Sequence, residues 1–235
     1  MLRTGIIFGT ALTVTCALAV IPATPVHASA PTTKGTGFKL TTQFGVTSVS
    51  PSRRYEVTFA SADLKKRYAP YLTTAVSQVK SAGVKIAIGG VEQVDRAKCP
   101  PPGHIQYTEM YRPLGRGGYS QGVPCPHPAN GVAAGGIVAM NSEYFDGTWH
   151  ISAYKLRNTF VHEMLHALGL DHPNLDLNHN GVVEAYECVA TSHGNKPVMC
   201  SPNGGYSTAN AGKLTGYDTN GIKALLANAR QQGLR

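Results

Sequence analysis

One stretch constrains the fold of this chain more than any other: residues 162 to 172 read HEMLHALGLDH. His162 and His166 are four apart, so on a helix both imidazoles leave the same face and can grip one metal ion. Glu163 follows the first of them and can reach a metal-bound water without being a ligand. Gly169 permits the left-handed conformation that stops a helix and turns the chain back. His172 then arrives from a second direction. Three nitrogens from two directions leave a fourth tetrahedral position for water, the open geometry of catalytic zinc, where the pKa of water falls from roughly 15.7 to about 7. An amphipathic helix with surface histidines accounts for two of the histidines, but not for Glu163, Gly169 and His172 together.

The apolar pattern around this motif predicts a helix over Ala153 to Leu168, with Leu156, Phe160, Met164 and Leu168 on one face. Upstream, alternation predicts a strand at Glu56 to Ala60, and Pro70 suits the first turn of a helix running to Ser81. Strands are expected at Val84 to Ile88, Ile105 to Met110 and Gly136 to Ser142, with the Gly- and Pro-rich residues 112 to 135 as a long loop. A last helix is expected from Asn220 to Arg230. Strands and helices come early and irregular chain late, which implies an α/β sheet half and a loop-rich second half around one site. The Thr/Ser/Gly-rich residues 29 to 53 read as a flexible segment lying loosely on the surface, ahead of one domain over 54 to 235.

A second motif follows the third histidine. Residues 176 to 187, DLNHNGVVEAYE, meet the calcium-loop pattern D-x-[DN]-x-[DN]-G-x5-E in full. Asp176, Asn178 and Asn180 take positions one, three and five, and Gly181 makes the sharp turn at six. Val182 offers its carbonyl at seven, Glu184 acts at nine, and Glu187 binds with both oxygens at twelve. Val183, at eight, is expected to tuck into the core. Only three carboxylates are present, so the expected affinity is weak, about 10⁻⁴–10⁻³ M. The alternative is an Asn-Gly turn leading into a short helix.

The chain opens as an exported one. Arg3 precedes an apolar run from Gly5 to Ile21, then Pro22, Pro25 and small residues, which reads as a signal peptide over residues 1 to 28. Cleavage after Ala28 is favoured over Ala30, because Pro31 would follow the second cut. Thr13 and Thr15 before Cys16 argue against a lipoprotein anchor. No later stretch is apolar enough to span a bilayer. Beyond residue 28 four cysteines remain, which suggests two disulfides with three possible connectivities; nearest-neighbour pairing, Cys99 with Cys125 and Cys188 with Cys200, is the expectation. The net charge of +8 is dispersed, with no basic run of the kind that marks a nucleic-acid site.

The zinc motif resembles the signature of the metzincin clan of zinc peptidases, H-E-x-x-H-x-x-G-x-x-H with a methionine turn downstream. Met199, in KPVMC at 196–200, is the candidate turn residue; in the family it packs beneath the zinc ligands. GGIVAMNSEYFDG at 135–147 and LTGYDTNGIKALLA at 214–227 are similar to the edge-strand region and closing helix of the matrixins. Leu165 stands where matrixins usually have glycine, and Pro173 where they have Ser or Thr, so the resemblance is to the clan more than to one family. Ser201 occupies the place of the turn tyrosine of astacins and serralysins, and Tyr206 is not expected to replace it. Cys99 lacks the cysteine-switch context.

The resemblance implies a metzincin-like fold: a twisted mixed β-sheet with helices and a loop-rich C-terminal subdomain carrying the turn. It implies a secreted, monomeric zinc endopeptidase with His162, His166 and His172 as ligands and Glu163 as general base. An extended peptide or protein substrate would lie antiparallel to the edge strand near Ile137 to Met140. Two other readings stay open, a non-catalytic metal-stabilised envelope or adhesion module and a hydrolase of non-peptide amides.

Overall fold

The computed structural model describes residues 30–202 and 204–234. The signal peptide expected over residues 1–28 lies outside the described residues. The described residues form a mixed α/β fold with three α-helices and two sheets. In chain order its elements are β1 (Lys34–Gly35), β2 (Phe38–Leu40), β3 (Ser48–Val49), β4 (Tyr55–Phe59), α1 (Ala62–Ser81), β5 (Ile86–Val91), β6 (His104–Met110), β7 (Gln121–Pro126), β8 (Val132–Asn141), α2 (Ala153–Leu168), β9 (Leu170–Asp171) and α3 (Gly216–Gln231).

The main sheet runs β3-β8-β6-β4-β5, all parallel, and β7 adds to β8 in the antiparallel sense. Helices α1 and α2 pack on one face. Their shared core is aromatic: Tyr68, Tyr107 and Phe160 are fully buried and in ring contact. The Tyr107 hydroxyl, too buried to be left unpaired, donates to the Phe160 carbonyl at 2.7 Å. Among the described residues, 172 to 215 contain no helix or named strand, which agrees with a loop-rich second half. Cys99 is bonded to Cys125 and Cys188 to Cys200, the nearest-neighbour pairing. Among the described residues no helix is long and apolar enough to cross a membrane.

Four sequence expectations need correction. Helix α1 begins at Ala62, capped by the Ser61 hydroxyl, so Pro70 lies inside it and not in its first turn. Burial of Leu64, Tyr68, Leu72, Ala75, Val76 and Val79 along one stripe carries the helix past the missing donor. Residues 112 to 135 are not one loop, because they contain β7 and the start of β8. Pro124 and Pro126 disguise β7, yet proline is admissible on a strand at a sheet margin. With β7 in place, β8 is not the edge: Ile137 pairs with Val123 and Val138 with Gly122.

The fourth correction concerns residues 29 to 53. Leu40, Val46 and Val49 are fully buried. Strand β2 pairs with β9, aligning Lys39 with Asp171 and Leu40 with Leu170. Thr41 N–H donates to the Gly169 carbonyl at 2.9 Å, and Lys39 pairs with Asp171 at 2.7 Å. The N-terminal segment is thus stitched to the two residues that precede His172. Its partners lie far along the chain, and so its composition alone does not reveal them.

Candidate metal centre

Helix α2 presents His162 and His166 one turn apart at its C-terminal end. It stops at Gly169, whose φ of 108° and whose position 2.5 Å, measured from a notional Cβ, to Val46 Cγ1 both demand glycine. The chain reverses through β9 and delivers His172. The three Nε2 atoms form a triangle with sides of 3.0, 3.0 and 3.1 Å.

Two of the rings are pinned from behind. His162 Nδ1 donates to the Val198 carbonyl at 2.8 Å, and His166 Nδ1 to the Leu170 carbonyl at 2.8 Å. A carbonyl only accepts, so the proton is on Nδ1 and each Nε2 carries a bare lone pair. Burial, with the neighbouring imidazoles, pushes His162 down to about 4 and His166 well below its ordinary value; burial also lowers His172. At neutral pH, the bare lone pairs of His162 and His166 therefore face one another across 3.0 Å, with the neutral His172 ring completing the triangle. This donor set fits a cation of borderline softness such as zinc. Among the described residues these three side chains form a group able to hold a metal.

Val198 is itself held. Its N–H and that of Met199 donate to the Asp218 carboxylate at 3.0 and 3.2 Å. Asp218 is buried and closes the capping box at the start of α3 with Thr215. A hydrogen-bonded chain thus runs from α3 through the Val198 peptide to the back of His162, the outer support that orients a metal-binding ring. Met199 is 1% exposed. The Cys188–Cys200 bond adjoins this turn. Sequence reasoning missed Asp218 in this role, although Thr215-x-x-Asp218 is a legible capping signature.

Glu163 points from the same turn of α2 and is 7% exposed. Burial pushes its carboxyl up to about 8, opposed by a hydrogen bond from the Gly122 backbone. Gly122 on β7 packs directly on α2: a Cβ there would lie 2.2 Å from the Glu163 carbonyl oxygen. Gly122 is the second site residue that the sequence left hidden. Two cavities meet at Glu163. One, of about 320 Å³, contains the three histidines and is bounded by Thr41, Phe44 and β7. The other, of about 410 Å³, is walled by Tyr119, Tyr144, Trp149, Tyr154 and Tyr186. Tyr206 lines neither.

The loop 176–187 lies at the surface. Asp176 accepts from Asn180 and Gly181 N–H at 3.1 and 2.7 Å, while Asn178 and Asn180 amides donate to Glu184 at 3.3 Å each. Glu187 accepts from Leu177 and Asn178 N–H at 2.6 and 3.0 Å and from Glu184 N–H at 2.9 Å, and hydrogen bonds from the backbone hold its carboxyl below its ordinary value. Positions one, three, five, nine and twelve thus turn into one ring. Val182 and Val183 are exposed, so the core position expected for Val183 is not observed. Among the described residues no helix directly follows the loop, and its end is held by the 196–201 segment, where Tyr186 N–H donates to the Ser201 carbonyl at 2.7 Å. No protein-family model matches this sequence, and no curated protein matches it.

Proposed function

We propose that this chain is a secreted zinc endopeptidase of the metzincin type. One observation carries the reading: three neutral imidazoles converge on a single point at the floor of a cleft, with a buried carboxylate beside them that is not one of the converging donors. A purely structural metal site has no use for that carboxylate. Bound zinc supplies Lewis acidity toward a scissile carbonyl and acidifies a water molecule.

The chain's own residues do the rest. His162 and His166 hold their lone pairs forward because Val198 and Leu170 fix their tautomers. Burial alone would keep the Glu163 carboxyl protonated near neutrality; a cation held by the three histidines would favour its ionised form, and Glu163 would then accept the proton of the attacking water and return it to the leaving amine. Gly122 lets strand β7 approach α2 closely, so a peptide pairing with β7 passes over Glu163. The Val198–Met199 turn serves as the methionine turn, braced by Asp218 and by the Cys188–Cys200 bond. Calcium in the 176–187 ring, held by Asp176, Asn178, Asn180, Glu187 and the Val182 carbonyl, would stiffen the link between His172 and that turn. Two disulfides are compatible with the extracellular setting that the signal segment implies.

The test is a peptide-library digest with wild type and Glu163→Ala, each loaded with zinc. The expected result is one zinc per chain in both and turnover lower by about 10²–10⁴-fold in the variant. Cleavage at equal rates would refute the role of Glu163. Zinc binding with no cleavage by either protein would instead indicate a metal-stabilised binding module.

A further inference from the structure

Strand β7 has a cavity on each of its faces. Gly122 faces α2, so Gln121 and Val123, its neighbours in the pleat, face the other way. Their cross-strand partners Ala139 and Ile137 share that outer face, as does Gln106, which pairs with Ile137. The chain leaving β5 crosses this face. Glu92 accepts from Thr58 and lies 2.9 Å from His104 Nδ1, and the segment ends at Cys99, bonded to Cys125 at the end of β7.

Between this segment and the strands lies a cavity of about 250 Å³. Val123, Pro124, Ile137, Ala139 and the disulfide give it apolar walls, and Ala97, Gln121 and the exposed Arg96 and Lys98 complete the lining. Gln121 and Val123 also border the cavity that holds the histidines, so the margin of β7 is the wall the two share. Among the described residues β7 pairs with β8 alone, and no backbone-to-backbone hydrogen bond from another element engages its other side.

We propose that this outer cavity is a second side-chain site for the peptide that pairs with β7, one that takes an aliphatic side chain and rejects lysine or arginine. The proposal rests on the peptidase reading above. A strand added to β7 continues its pleat. The residue facing α2 enters the cleft at Glu163, and its neighbours project onto the opposite face, where this cavity lies. Apolar walls suit an aliphatic body. Arg96 and Lys98 oppose a second cation, even with Lys98 paired to Asp95 at 3.2 Å. Substrate choice would then be read on both faces of one strand.

The test uses zinc-loaded wild type and the double variant Arg96→Glu, Lys98→Glu, whose exposed positions leave the core intact. Peptides differ only at the residues flanking the one seated at Glu163. In wild type, leucine should exceed lysine by about tenfold or more in kcat/KM. In the double variant lysine should gain at those positions and at no other. The same peptides are titrated into zinc-loaded Glu163→Gln proteins, read by emission of Trp149, the single tryptophan of the chain, in the wall of the aromatic cavity. A leucine-to-lysine ratio that the charge swap leaves unchanged, in binding or in turnover, overturns the site. Peptides that bind with the expected preference but are never cut support the site and refute the peptidase reading.

Discussion

Gly122 offers the sharpest test of how the edge strand serves the site. In Gly122→Ala the new methyl would lie 2.2 Å from the Glu163 carbonyl oxygen and 3.0 Å from its Cα. Those neighbours are backbone atoms of a helix, so no side-chain rotation relieves the clash. Ordinary contact requires β7 and α2 to separate by about 1 Å, and displacement of that size costs about 100-fold in rate when it misplaces reacting groups. Overpacking of this kind also destabilises a fold by about 1–3 kcal/mol. The nearest atoms that the methyl meets all belong to Glu163, so the three histidines should keep their metal. The expected outcome is full zinc content, a lowered Tm, and kcat/KM reduced by about two orders of magnitude. Gly90→Ala is the control, because nothing lies within 4 Å of a Cβ there. A Gly122→Ala protein with wild-type Tm and wild-type kcat/KM would show that β7 does not press on the turn of α2 that carries Glu163.

Three further outcomes are expected. Replacing Cys188 and Cys200 by serine opens a loop with a sequence separation of 12 residues, and should cost about 3 kcal/mol in denaturant unfolding; an unchanged midpoint would remove the bond from the account of the Met199 turn. Millimolar calcium should raise the Tm of zinc-loaded protein, and Asp176→Ala with Glu187→Ala should abolish the gain; indifference to calcium would leave the loop a plain turn. Metal-free protein should lose stability in acid: folded His162 titrates near 4, against about 6.5 when unfolded, so the unfolded chain takes up protons that the folded one refuses. This contribution is fully present above pH ~6.5 and drains as pH falls toward 4, with about 2 kcal/mol gone by pH 5 from His162 alone. Equal urea midpoints at pH 7 and pH 5 would contradict neutral, buried imidazoles.

The local parts of this structure were readable and the nonlocal parts were not. The α2 boundaries follow from one apolar stripe and a glycine stop, and the triad follows from its spacing on that helix. The disulfide pairing was one of three that the cysteines allowed. Strand β7 escaped because Pro124 and Pro126 mimic loop, and only its neighbour β8 makes it a strand. The value of Leu40, Val46 and Val49 lies in partners more than eighty residues away, Leu170, Gly169 and Ala133. The tautomer of His162 depends on the Val198 carbonyl, and every residue type has a carbonyl. Asp218 shows a cap in sequence, but its bonds to the Val198–Met199 peptide exist only once α3 has docked.

The clasp of β2 on β9 has a consequence for biosynthesis. The support around His172 joins residues near the beginning of the described chain to residues near 170, and the support behind His162 waits for residue 218. Such contacts form only after long stretches of chain have been made, and pairings between distant segments are slow to close. A chain still emerging from the ribosome or a translocation pore lacks Asp218, and with it the support that holds the Val198–Met199 peptide behind His162. Under the peptidase reading, the producing cell is protected while the chain is being made, because the blade is finished last.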